Sequence, residues 1–108
     1  MELSQLTERA VGIQKKFART ESAAAGKVWG PAEVMQGMVG DMGDLAKLVL
    51  AKQGFRPIAD LDAKLEHELA DVLWSVLVLA RMYHIDLDSA FERTMRQIER
   101  KLDTAMKG

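Results

Sequence analysis

Asp41, Asp44, Glu68 and Asp71 form two pairs of acids, each pair spaced by three residues. On a helix that spacing puts both carboxylates on one face. At 100° per residue, Gly37, Asp41, Asp44 and Leu48 fall within about 60° of one another, bordered by Gly40. The adjoining arc of Val34, Met35, Met38, Leu45 and Val49 reads as core, so these acids sit at the edge of a buried side. Around the second pair, Leu65, Leu69, Val72, Leu73, Val76, Leu77 and Leu79 cover most of a helix, interrupted by Glu68, Asp71 and Ser75. A helix apolar nearly all round is expected to be buried.

Half-sunk carboxylates repel each other by roughly 3 kcal/mol per pair at about 5 Å and an effective dielectric near 20. Protonation, nearby Lys or Arg, or a bound cation can offset this. The nearest bases are Lys47, Lys64 and Arg81, and Lys47 and Arg81 are expected to point away from the acid faces. The pattern therefore favours oxygen ligation of a hard cation, Mg²⁺ or alternatively Mn²⁺. Gly37, Gly40 and Gly43 in the same segment cost a helix roughly 2–3 kcal/mol relative to alanine. Two explanations stay open for them: close helix packing, or room for a ligand beside Asp41 and Asp44.

Apolar residues recur at three and four rather than at two, so the expected fold is an all-α bundle of about four helices. The first runs from about Ser4 to Ala23 with Leu3, Leu6, Ala10, Ile13 and Phe17 inward and Gly12 as its weak point. A loop over 24–30 follows. The second helix starts at Pro31 and runs to about Gln53, where Gly54 supplies a left-handed cap and Pro57 blocks continuation. The third is capped by Asp60 and ends near Tyr83 or His84; Asp86 caps a fourth, Leu87 to about Met106.

The 108 residues are expected to form one domain, which at this length gains from homo-oligomerisation. Net charge is −1, with no block of like charge, which argues against nucleic acid as a partner. There is no cysteine, no signal-peptide layout and no apolar run of membrane length, so no membrane association and a cytoplasmic location are expected.

Gly40-Asp41-Met42-Gly43-Asp44-Leu45 and Glu68-Leu69-Ala70-Asp71-Val72-Leu73 resemble the two motifs of the MazG-like all-α nucleoside triphosphate pyrophosphohydrolases, Glu-Glu-x-x-Glu and Glu-x-x-Asp. The similarity extends from about Trp29 to Met95 and includes Ile85-Asp86-Leu87. The second motif matches fully; in the first, Gly40 replaces the leading Glu and both remaining acids are Asp, about 1.5 Å shorter in reach. The resemblance implies a homodimer or homotetramer that hydrolyses a nucleoside triphosphate to the monophosphate and pyrophosphate with carboxylate-held Mg²⁺. It further implies Asp41, Asp44, Glu68 and Asp71 as metal ligands, with Glu68 also a candidate for orienting the attacking water. By the same resemblance Trp29 is a candidate for stacking on the base and Phe17 a weaker one. Arg96, among Arg93, Arg100 and Lys101, is a weak candidate for the phosphate tail. Trp74, about 120° from Glu68, is expected in the core or a subunit contact. Two rivals share these features: a phosphoribosyl-ATP pyrophosphohydrolase-like enzyme, and a catalytically weak helical nucleotide-binding or oligomerisation module.

Overall fold

A computed structural model describes residues 2–25 and 29–107, with the side chains of 21–25 outside that description. Among the described residues the chain is all-α: α1 Leu3–Ala25, α2 Pro31–Lys52, α3 Leu61–Met82 and α4 Leu87–Lys107. Helix α1 takes up the beginning of the expected loop over 24–30; residues 26–28 of that loop lie outside the description.

The helix ends follow local chemistry. Pro31 occupies the first turn of α2, and Glu33 Oε1 accepts a hydrogen bond from the Gly30 N–H at 3.3 Å. At the other end Gly54 turns left-handed at φ 88°, and the Phe55 and Gly54 N–H groups donate to Leu50 and Ala51 carbonyls. The same closure ends α3, with His84 at φ 54° in the glycine position and the Ile85 and His84 N–H groups donating to Ala80 and Arg81. Asp86 caps α4 as expected, accepting from the Ser89 N–H at 3.3 Å and its hydroxyl at 2.9 Å. Asp60 does not cap through its side chain. It is left-handed at φ 53° and makes no side-chain cap bond.

Helix α3 is the centre of the packing, with α2 against one side and α1 against another. Ala10, Val34, Leu77 and Val78 form the buried cluster, with Leu3, Leu6, Trp74 and Met82 packed on it. The Trp74 indole N–H donates to the Ala10 carbonyl at 3.1 Å, and Arg81 pairs with Glu8, so α1 is pinned to α3 at two heights. Lys52 and Asp62, paired at 2.6 Å, close the α2–α3 end.

Several positions expected in the core are open. Met35 and Val49 on α2 are 44% and 46% exposed, and Leu69 and Leu73 on α3 are 53% and 44%. The reason is that three helices enclose one interior, and α4 does not cover the second face. None of α4 is buried; only Leu87 at its start reaches the core cluster. The radius of gyration is 17.4 Å, against about 13 Å for a compact domain of roughly 100 residues.

A Cβ added at Gly12 meets nothing within 4 Å. Gly12→Ala is therefore expected to add about 1 kcal/mol and raise the melting temperature by roughly 4–8 °C. A thermal melt that stays level or falls would show that this helix needs its glycine.

Candidate metal centre and its flanking pockets

The α2–α3 hairpin sets the register of the site. Lys47 and Asp44 share a pocket with Lys64 and Glu68, while Gly37 and Asp41 share another with Asp71 and Trp74. Rising numbers on α2 thus meet falling numbers on α3, as an antiparallel pair requires. Acids spaced by three on each helix consequently meet across the seam.

Asp41, Asp44 and Glu68 each offer a carboxylate oxygen within 4.8 Å of the others. The shortened Asp pair still reaches Glu68. An octahedral ion with oxygens at about 2.1 Å keeps neighbouring ligands about 3.0 Å and opposite ones about 4.2 Å apart, so a cation held here would draw the three oxygens inward. Glu68 Oε2 is buried without a hydrogen-bond partner among the described residues, an orphaned acceptor that a cation or an ordered water would satisfy. Asp71 stands beside this trio rather than in it: one of its oxygens takes the Nε2 of His67 at 3.1 Å.

Burial pushes both the Asp41 and Glu68 carboxyls above the ordinary carboxylate range. The Asp71 and Asp44 charges push Asp41 further, and Asp41, Asp71 and Asp44 do the same to Glu68; His67 opposes both shifts. The donor set is all oxygen, mutually repelling and incompletely hydrogen-bonded, and so fits a hard divalent cation.

On one side of the acids lies a pocket of about 470 Å³ whose wall is aromatic and whose rim is Asp41 and Asp71. Phe17 joins Trp29 at 6.0 Å between ring centroids and Trp74 at 6.1 Å. The structure thus brings Phe17 and Trp29 together as candidates and adds Trp74, expected only in the core or a contact. Trp74 belongs to both settings, its N–H held by Ala10 and its ring facing the pocket. Gly37 also lines this pocket, and a Cβ added at Gly37, Gly40 or Gly43 meets nothing within 4 Å. Close helix packing within the chain is therefore not the reason for these glycines; the space beside them is open.

On the other side, Lys47 and Lys64 line a pocket with Asp44 and Glu68, contrary to the expectation that Lys47 points away. Three residues advance a helix by 300°, only about 60° from Asp44, and a long side chain spans that angle. Arg96 is not brought to the site within one chain; it pairs with Glu92 at 3.1 Å along α4. His67 is a contributor that the sequence reading passed over, although its four-residue spacing from Asp71 was a visible signal.

A family model described as MazG nucleotide pyrophosphohydrolase domain matches residues 30–105, more than two thirds of the chain. No curated protein and no solved structure matches significantly.

The raised Glu68 pKa carries a sign. A carboxyl whose folded pKa exceeds its unfolded value contributes stability at low pH and loses it as pH rises through the folded value. Metal-free protein is therefore expected to lose stability as pH climbs above the ordinary value near 4.5. Glu68→Gln is expected to melt higher than wild type at pH 7 without metal and to gain less from added Mg²⁺. A lower metal-free melting temperature for Glu68→Gln would show that the Glu68 charge is already compensated within the protein.

Proposed function

The chain belongs to the MazG nucleotide pyrophosphohydrolase domain family, and on that premise we propose that it is a divalent-metal-dependent enzyme cleaving (d)NTPs to (d)NMP and pyrophosphate. One observation carries this reading: Asp41 lies both in the acid trio and on the rim of the aromatic pocket. A molecule with a flat ring at one end and a polyphosphate at the other matches that juxtaposition. An aromatic pocket of open shape, with few polar groups to read a base edge, suits removal of non-canonical nucleotides, a house-cleaning role in the cytoplasm. No described helix is long and apolar enough to cross a membrane.

Asp41, Asp44 and Glu68 are the residues to hold Mg²⁺ or Mn²⁺, with Asp71 as a fourth ligand once its oxygen turns from His67. A cation bound there supplies neutralisation of the polyphosphate and a water acidic enough to attack phosphorus. Glu68 has two oxygens, so it can ligate with one and orient the attacking water with the other. Trp29, Phe17 and Trp74 stack on the base and exclude water from that end of the seam. The Trp74–Ala10 hydrogen bond fixes the indole, so the pocket wall stays in place when substrate leaves.

We further propose that the 108 residues act as one domain whose second face is completed by another copy of the chain. Leu87, Phe91, Met95, Ile98, Leu102 and Met106 recur at four or three residues along one stripe of α4, and Phe91 and Leu102 are 59% and 58% exposed. An apolar stripe running the length of an uncovered helix matches the uncovered apolar faces of α2 and α3 in chemistry. A homodimer or homotetramer would bury both, and in it the α4 cations, Arg96 among them, come from a neighbouring subunit.

Release of pyrophosphate from a panel of canonical and damaged (d)NTPs, dependent on Mg²⁺ or Mn²⁺, tests the activity. Glu68→Gln and Asp71→Asn are expected to reduce it by roughly a hundredfold or more; no turnover of any nucleotide by metal-loaded wild type would sink the proposal. Light scattering tests the assembly: twice or four times the 12.0 kDa chain mass is expected, falling toward the monomer for Ile98→Asp. A wild-type monomer at micromolar concentration would contradict it.

A further inference from the structure

Two unlike pockets follow one another along the α2–α3 seam, on either side of the acids. One is the aromatic pocket bounded by Asp41 and Asp71; the other is a pocket of about 240 Å³ lined by Lys47 and Lys64 beside Asp44 and Glu68. Lys47 stands three residues after Asp44 on α2, and Lys64 four residues before Glu68 on α3, so two ammonium groups flank the acids from opposite helices. Neither lysine forms an ion pair with an acid among the described residues, whereas Lys52, five residues beyond Lys47, is held by Asp62 at 2.6 Å. The fold uses Lys52 to close the hairpin and leaves the other two cations unspent.

We propose that Lys47 and Lys64 form the subsite for the leaving pyrophosphate, so that a nucleotide lies in one direction along the seam, base toward Trp29 and terminal phosphates toward the lysines. This rests on the pyrophosphohydrolase reading above. Water oxygen bonds to the α-phosphorus and the bond from that phosphorus to the α–β bridging oxygen breaks. The electron pair leaves on pyrophosphate, and the water proton passes to solvent. Negative charge therefore grows on the leaving group, beside the two ammonium groups rather than beside the aromatic wall. The monophosphate remains at the aromatic end. Pyrophosphate has no base to stack, so its own affinity must come from cations alone, which makes it the probe that isolates this subsite.

The test is calorimetric titration of Mg²⁺-loaded protein with inorganic pyrophosphate and, separately, with a nucleoside monophosphate, for wild type and the K47Q/K64Q and K52Q variants. Loss of two charge-assisted contacts is expected to weaken pyrophosphate binding by roughly tenfold or more in K47Q/K64Q. Monophosphate affinity should stay within about twofold, since a tenfold loss corresponds to a contact that the monophosphate does not make. K52Q should bind pyrophosphate like wild type, which separates the subsite from a general loss of positive charge, and Lys47→Arg with Lys64→Arg should restore binding. Unchanged pyrophosphate affinity in K47Q/K64Q, or an equal loss for the monophosphate, overturns the assignment. If wild type cleaves no nucleotide yet the lysine variant still loses pyrophosphate, the enzymatic reading falls and the anion subsite stands. If turnover is present and pyrophosphate affinity does not move, the subsite falls alone.

Discussion

Like charges on the buried seam of a helical hairpin are the constraint to which the rest of this molecule answers. Asp41, Asp44 and Glu68 meet because α2 and α3 are antiparallel and their acids are three residues apart on each. Gly54 ends α2 where the chain must reverse, and the Lys52–Asp62 pair holds the reversal, so this turn sets which acid faces which. Among the described residues no Lys or Arg forms an ion pair with the trio. His67 opposes the repulsion only in part and is spent on Asp71, and Lys47 and Lys64 form no ion pair among the described residues. A protein that tolerates such repulsion at its best-packed helix pair has a cation as its natural counterweight.

Around that seam the chain separates its chemistry by position. Helix α1 brings Phe17 and, through Ala10, anchors Trp74; the start of α2 follows Trp29; the turn end of the hairpin brings the lysines. Aromatic surface, acids and ammonium groups thus follow one another along the α2–α3 seam. Gly37 leaves its part of the aromatic pocket free of a side chain, at a helix cost of about 1 kcal/mol. The apolar stripe of α4 stands exposed and takes no part in this seam.

What could be read in the sequence was what local chemistry decides. Pro31, Gly54 and Asp86 marked helix ends because their backbone or side-chain preferences act over a few residues. The acid faces followed from the 100° step alone. Asp60 misled, because its backbone is left-handed rather than extended as a side-chain cap requires, and His84 took a glycine-like position that its residue type does not announce. Met35, Val49, Leu69 and Leu73 were apolar and so read as core, yet periodicity reports which side is apolar and not whether the same chain covers it. Trp74 joined the pocket through a contact with a residue 64 positions away, which no helical angle contains. Lys47 was misplaced by treating its helical position as its reach, when a four-carbon stem carries the charge well past its own Cα.

Asp41, Asp44 and Glu68 are proposed to form a divalent-cation site. Electron paramagnetic resonance of Mn²⁺ titrated into the purified chain tests it most directly, because free Mn²⁺ gives a sharp signal that is lost on binding. Saturable loss of the free signal is expected at neutral pH, displaceable by Mg²⁺, reversed on acidification as the carboxyls protonate, and absent in a variant carrying Asp41→Asn and Glu68→Gln. A free Mn²⁺ signal that rises in proportion to added metal in the wild-type protein would contradict it.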